Sequence, residues 1–307
     1  MKQKVIVIVG PTGIGKTKLS IELAKKIDGE IVSADSMQIY RKMNIGTAKP
    51  TEEEKQGIQH HMMDILDMGE NFSVAEYQSM AFSCIEEILN RGKTPIVVGG
   101  TGLYINSIVD EIIYSETHEN PEYRKKLEEI AKTKGNEILH KELKEKDPKA
   151  AERIEVNDLK RIVRALEVYE MTGKTITEQQ ENSKPKETKY DYIIIGLRTD
   201  REIIYDRINK RVDIMFEQGL LEEAKEILKS TDDSNTSHQA IGYKELAKYF
   251  EGTESLEEAK ENIKKESRHY AKRQFTWFNR NERIVWLDSE VSVDENIERI
   301  RKIMNNA

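Results

Sequence analysis

Short runs of aliphatic and β-branched residues recur along the chain, at Val5–Val9, Glu30–Ser33, Pro95–Val98, Tyr190–Leu197 and Ile284–Leu287. Between them, apolar residues return every three or four positions, the period of a helix with one buried face. An unbroken apolar run is the pattern of a strand covered on both sides. Its alternation with helical periods predicts an α/β protein with a parallel sheet between helical layers. Helices are expected at Ser73–Asn90, Arg201–Glu217, Leu220–Lys229, Tyr243–Phe250 and Leu256–Phe278, with a closing helix after the last strand. The spacing is uneven. From Glu119 to Lys189 there is no strand pattern, only charged helical periods at Pro121–Lys134, Asn136–Lys146 and Asn157–Met171. This predicts a helical insertion domain, residues 119–189, within a core domain formed by 1–118 and 190–307. Turn residues at Thr117–Pro121 and Asn182–Lys189 mark its edges.

The first strand leads straight into Gly10, Pro11, Thr12, Gly13, Ile14, Gly15, Lys16 and Thr17, a complete G-x-x-x-x-G-K-[ST] phosphate-binding loop followed by a helical period. Its glycines let successive backbone N–H groups converge on phosphate oxygens, and the helix adds its positive end. Lys16 would reach the outer phosphate and the Thr17 hydroxyl would ligate Mg²⁺. The sheet is therefore expected to be of the P-loop type. The loop alone does not say which phosphate compound it holds.

Ligands in open parallel sheets sit at the carboxyl ends of the strands. The second strand runs into Asp35, Ser36, Met37 and Gln38. Asp35 can be read as a Walker-B-like aspartate, as a general base, or as a helix cap. The third strand ends in Gly99-Gly100-Thr101-Gly102, where many NTPases place an aspartate, so the usual hydrolytic apparatus is not evident. Arg207 and Arg211 lie one helical turn apart, suited to a second phosphate grip or to pairing with Asp206 and Asp213. Lys160, Arg161 and Arg164 share a helix edge in the insertion, with Glu167 available to neutralise them.

The chain has 307 residues, with hydrophobic residues at 37%, charged residues at 34% and a net charge of −7. The acidic balance argues against nucleic acid, but the distribution does not. From Lys264 to Arg283, seven Lys and Arg face two Glu, with Tyr270, Phe275, Trp277 and Phe278 interleaved. Such a segment is either a solvated amphipathic helix or an RNA surface. No apolar run reaches the length of a bilayer span, and the amino terminus shows no signal-peptide pattern, so a cytoplasmic protein without membrane contact is expected. The single cysteine, Cys84, is expected to be a buried structural thiol, and the scattered histidines suggest no zinc site.

Taken in order, GPTGIGKT, SADSMQIYRKMNIGTAKP, VVGGTGLY, NDLKRIVRALEVY, GKT at 173–175, AIGYKE and YAKRQFTWF resemble the tRNA dimethylallyltransferase family over nearly the whole chain. The resemblance implies that the loop holds dimethylallyl diphosphate and not ATP, although the motif itself is a nucleotide-binding one. It implies transfer of the prenyl group to N6 of the adenosine directly 3′ of the anticodon, with that base flipped inward. Asp35 would be the base, while Lys16, Arg211, the loop amides and Mg²⁺ on Thr17 would neutralise the departing diphosphate. Thr101 would contact diphosphate or nucleotide.

The same resemblance sets several segments against the tRNA anticodon stem-loop. These are Asp35, Ser36, Met37 and Gln38, then Arg124, then Lys160, Arg161, Ile162, Val163 and Arg164. Next come Gln239, Ala240, Ile241, Gly242, Tyr243 and Lys244. Last are Lys272, Arg273, Gln274, Phe275, Thr276, Trp277, Phe278 and Asn279. A monomer is expected. Three other readings stay open: a small-molecule P-loop kinase with a helical lid, a prenyltransferase acting on free adenine nucleotides, and an RNA-binding regulator with an idle phosphate loop.

Overall fold

The computed structural model describes residues 2–114, 120–230 and 236–306. The chain divides into two compact units, Met1–Val109 with Lys189–Ala307, and Asp110–Thr188. The second unit thus begins at Asp110 and not at the Glu119 that the sequence suggested. Thr117 and Glu119, in the expected edge turn, lie outside the described residues.

In the first unit the order is β1 (Lys4–Val9), α1 (Lys16–Ile27), β2 (Gly29–Ala34), α2 (Glu52–Lys55), β3 (His60–His61), α3 (Val74–Asn90), β4 (Thr94–Gly99) and α4 (Gly102–Val109). The second unit contributes α5 (Pro121–Lys134), α6 (Asn136–Lys146), α7 (Pro148–Arg153), α8 (Leu159–Thr172) and α9 (Ile176–Glu181). The chain returns to the first unit with β5 (Asp191–Arg198), α10 (Arg201–Glu217), α11 (Leu220–Ser230), α12 (Lys244–Phe250), α13 (Leu256–Phe278), β6 (Val285–Asp288) and α14 (Val293–Asn306). The sheet is parallel throughout, in the order β3-β2-β4-β1-β5-β6.

Strand alternation sorts the core. Val5, Val7, Val9, Val32, Val97 and Ile194 pack with Ile85, Ile88 and Ile105 of α3 and α4. Ile6, Ile8, Ile31, Ile96 and Ile195 pack on the opposite face with Leu19 and Leu23 of α1, Ile204 of α10 and Ile300 of α14. Burial on both faces is why these strands read as continuous apolar runs. Cys84 is half-buried against the first of these clusters. A third cluster joins Ile39, Tyr40 and Met43 to Leu220, Ala224, Tyr243, Leu246 and Ile263, and so seats the chain after Asp35 on α11, α12 and α13.

Register brings the strand ends level. Val9 and Ala34 both pair with Gly99, so the segments after β1, β2 and β4 leave the sheet side by side. Tyr77 and Tyr104 stack at 3.8 Å, and the Tyr77 hydroxyl donates to the Ser33 carbonyl at 3.1 Å, bracing the strand that delivers Asp35.

A buried carboxylate at the sheet gathers partners that remain partly in solvent. Glu30 on β2 meets His61 at 2.7 Å, Arg91 at 2.7 Å and Lys93 at 3.2 Å. Burial acts to raise its carboxyl pKa, but hydrogen bonds from His61, Arg91 and Lys93 outweigh that and hold it at about 2. The sign follows: this stabilisation is full above the ordinary carboxylate range and is lost as pH falls towards 2. Glu30→Gln should therefore destabilise the chain at pH 7 by on the order of 3 kcal/mol, and by much less at pH 2 to 3, as read by denaturant melts at the two pH values. An equal loss at both would show that charge plays no part.

In the second unit, Leu127, Leu139, Leu143, Ile162, Val163 and Leu166 form the core. Beside them Glu167 is fully buried. It accepts from Arg124 Nε at 2.8 Å and Nη2 at 2.9 Å, from Arg164 at 2.6 Å and from the Asn120 N–H at 2.9 Å. Among the described residues no helix is long and apolar enough to cross a membrane.

Candidate active site

One cavity of about 830 Å³ opens where the strand ends meet, and every residue lining it belongs to the first unit. Thr12 to Lys18 of the phosphate loop form one wall, Asp35 to Gln38 and Gly46 to Ala48 another, with Arg211, Tyr270, Arg273 and Gln274 completing it. Its size is that of a site for a small organic ligand.

The loop owes its shape to Gly13 and Gly15, at φ +79° and +98°, where an L side chain would be strained. Gly15 precedes the first turn of α1, so the helix opens directly beneath the loop. Lys16 turns back across it, its ammonium donating to the Gly10 carbonyl at 2.9 Å and the Pro11 carbonyl at 2.8 Å. Burial lowers its pKa to about 8, with the Asp35 carboxylate opposing the shift and Arg211 adding to it. The group stays largely protonated at neutral pH. Arg211 reaches the Thr12 hydroxyl at 3.5 Å, while Thr17 is exposed at the start of α1.

Asp35 has two faces. Its Oδ1 accepts from the N–H groups of Met37 at 2.9 Å and Gln38 at 3.3 Å, closing the turn after β2. That oxygen closes a turn and caps no helix, since the next helix begins at Glu52, while the residue as a whole lines the cavity. Thr101 Oγ1 accepts from the Ser36 N–H at 3.0 Å, and its own N–H donates to the Ala34 carbonyl at 3.1 Å. Thr101 therefore locks β4 to the Asp35 turn.

Gln274 is buried. Its Oε1 accepts from the Thr12 N–H at 2.9 Å and its Nε2 donates to the Gly100 carbonyl at 2.9 Å, tying α13 to the phosphate loop. Tyr270, one turn earlier, lines the cavity. Burial first and the Asp35 charge second push its phenol up to about 12, opposed by the Thr101 and Gln274 side chains. Tyr270 therefore presents a neutral hydroxyl and an aromatic face, with the Arg273 guanidinium 5.7 Å from its ring centroid.

The residues expected on the basis of resemblance to meet RNA separate into several groups. Gln239, Ile241, Lys244 and Arg273 line the cavity with Asp35, Ser36, Met37 and Gln38. Lys272, Thr276 and Asn279 are exposed on or just past α13, and Trp277 is exposed with its indole N–H 3.4 Å from Asn106. Phe275 is half-buried against the sheet core. Lys160 and Arg161 are exposed in the second unit, with Arg161 beside Asp158 at 3.3 Å.

Others need correction. Ile162, Val163, Tyr243 and Phe278 are buried in hydrophobic clusters and offer no side chain to a surface ligand. Ala240 is buried too, though it borders the cavity alongside Gly242. Arg124 and Arg164 are ion-paired with Glu167 while their side chains stay 32% and 39% exposed, so the pairing leaves that expectation standing. Arg207 pairs with Glu290 at 3.0 Å, and neither Asp206 nor Asp213 is its partner.

Among the described residues no three His, Cys, Asp or Glu cluster as a metal site. A magnesium ion carried in by phosphate oxygens needs few protein ligands and keeps several waters, and the exposed Thr17 hydroxyl suits that role.

A family model described as IPP transferase matches residues 38–281, beginning after both the phosphate loop and Asp35. The chain is 52% identical over 295 residues to a tRNA dimethylallyltransferase of Acetivibrio thermocellus, covering 95% of this chain and 94% of that one. It is 49% identical over 308 residues to the tRNA dimethylallyltransferase of Carboxydothermus hydrogenoformans, covering 100% and 98%. The fold is similar to a tRNA isopentenylpyrophosphate transferase from Bacillus halodurans, with TM-score 0.75, 44% identity and coverage of 99% and 96%. It is also similar to a eukaryotic dimethylallyltransferase acting on tRNA, with TM-score 0.78, 32% identity and coverage of 94% and 74%.

Proposed function

This chain belongs to the IPP transferase family, and from that premise we propose that its cavity joins dimethylallyl diphosphate, held by the phosphate loop, to an adenosine of the tRNA anticodon loop presented at Asp35. The chain is an enzyme that transfers a dimethylallyl group to tRNA. The acceptor atom is N6 of the adenosine directly 3′ of the anticodon.

The observation that carries this reading is the meeting of Lys16, Arg211 and Asp35 in one cavity. An adenine amine is a poor nucleophile, because its lone pair is delocalised into the ring. As N6 bonds to carbon 1 of the prenyl group, the bond from that carbon to the diphosphate oxygen breaks and N6 must lose a proton. Asp35 takes that proton. Lys16, Arg211 and the loop amides meet the charge growing on the leaving diphosphate, which is where preorganised cations have most effect. Mg²⁺ held through Thr17 and phosphate oxygens would neutralise further charge on the leaving group.

The target base is flipped out of its stack, and Arg273, Lys244 and Gln239 border the cavity that would receive it. Lys272 and Trp277 extend this face along α13, suited to phosphate contact and to stacking. All these groups come from a single chain, so a monomer suffices, and a cytoplasmic site of action accords with a tRNA substrate.

Incubating the protein with unmodified tRNA, Mg²⁺ and labelled dimethylallyl diphosphate should place label in N6-(dimethylallyl)adenosine after hydrolysis to nucleosides. Unlabelled tRNA would refute the activity. Reversing the charges of Lys272 and Arg273 should weaken tRNA binding and lower the slope of log affinity against log salt by about two, since each phosphate contact contributes about one. Filter binding across a salt series reads this, and an unchanged slope would make the segment a solvated helix face.

A further inference from the structure

We propose that Glu223 is a positioning residue for this transfer: its carboxylate fills a cradle of backbone N–H groups and thereby fixes the wall of the cavity that carries Gln38 and Asp35. The inference rests on the activity proposed above. After Met43 the chain turns so that three consecutive N–H groups converge. Glu223, from α11, accepts all three. Its Oε2 meets the Asn44 N–H at 3.0 Å and the Ile45 N–H at 2.9 Å, and its Oε1 meets Ile45 at 2.9 Å and Gly46 at 2.9 Å. Converging N–H groups form an anion site, and here the protein supplies its own anion.

A fourth donor closes the arrangement. The Tyr243 hydroxyl donates to Glu223 Oε1 at 2.7 Å. Burial first and the Glu223 charge second hold that phenol far above its ordinary pKa, so it stays a donor. Gly46 lies directly against the ring, where a Cβ would fall 2.6 Å from Tyr243 Cζ. No neutral side chain satisfies such a set. A glutamine offers one acceptor oxygen and turns an NH₂ group against the remaining donors.

The consequence reaches the site through the next two residues. The carbonyls of Thr47 and Ala48 accept from Gln38 Nε2 at 3.2 Å and 3.4 Å, and the Gln38 N–H lies 3.3 Å from Asp35 Oδ1. Gly46, Thr47 and Ala48 line the cavity with Gln38 and Asp35. Glu223 itself lies outside that lining, so its influence passes through the loop.

The test compares the wild-type chain with Glu223→Gln and Glu223→Ala in single-turnover transfer, with the KM for dimethylallyl diphosphate and the melting temperature measured alongside. Both variants should lose about 10²-fold in rate per folded molecule, as a small misplacement of reacting groups costs, while KM stays within about twofold. In Glu223→Ala the cradle becomes a hole of carboxylate size. Acetate should restore a saturable part of the rate there, chloride at equal ionic strength should not, and Glu223→Gln should not respond. Loss of rate caused only by unfolding would follow the folded fraction and ignore acetate. If Glu223→Ala does not fold, the nearly isosteric Glu223→Gln decides. A wild-type rate in that variant, or dimethylallyl diphosphate affinity falling in step with rate, would overturn the proposal. A wild-type chain that transfers nothing would refute the activity itself, a distinct result.

Discussion

Asp35→Asn should slow prenyl transfer by roughly 10²–10⁴-fold, the usual worth of a positioned acid–base group. The substitution is informative because Asp35 has two separable roles. Its Oδ1 accepts from Met37 and Gln38, and an asparagine oxygen can take over both bonds, so the turn after β2 should survive. What is lost is the capacity to accept a proton. Binding of dimethylallyl diphosphate and Mg²⁺ should persist, since on the proposed reading the phosphate loop and Thr17 would hold them. A Walker-B role makes the opposite forecast, with metal affinity lost first and the rate recovered at high magnesium. Single-turnover rates across a magnesium titration separate the two, and recovery would remove Asp35 as the base.

Lys16→Ala should remove transfer about 10²–10³-fold, the scale of one preorganised donor aimed at developing charge. The ammonium already lies against the Gly10 and Pro11 carbonyls, so little rearrangement precedes its contact with a phosphate. tRNA affinity should be nearly unchanged, because on the proposed reading the lysine would contact the diphosphate and not the RNA. Rate and tRNA binding, measured on the same preparation, check this. Parallel loss of both would show that the loop serves RNA.

Much of this site was legible because it depends on local segments. The phosphate loop is contiguous, and its chemistry follows from residue types at fixed spacing. Asp35 and Thr101 were picked out by their places after strands, and parallel register brings those strand ends together, with Asp35 lining the cavity and Thr101 bracing the turn behind it. β3 escaped notice because a two-residue strand, His60–His61, is too short to show any period. Glu223 escaped altogether, and Gln274 was expected only as part of an RNA-facing stretch and not as a tie to the phosphate loop, for another reason. Each acts through hydrogen bonds to residues 174 to 262 positions away in the chain, and a single polar residue on an amphipathic helix carries no local sign of that. Naming whole stretches also swept in their inward faces. Helical periodicity turns Ile162, Val163 and Phe278 into hydrophobic cores, and Tyr243 is drawn inside by the Glu223 cradle.

The basic residues divide by what they neutralise. Arg124 and Arg164 face a fully buried Glu167, and removing either would leave a buried charge undercompensated. Lys272 and Arg273 are exposed, and Arg273 borders the cavity. Their contribution should therefore appear in salt-dependent RNA binding and not in stability.

Competition between acceptors separates transfer to tRNA from transfer to free nucleotide. Labelled dimethylallyl diphosphate is offered to the wild-type protein together with unmodified tRNA and a large excess of adenosine monophosphate. Label is expected in tRNA alone, at N6 of the adenosine 3′ of the anticodon, if the α13 face and the cavity-lining segments recognise the folded anticodon loop as proposed. Label accumulating in the mononucleotide would contradict it.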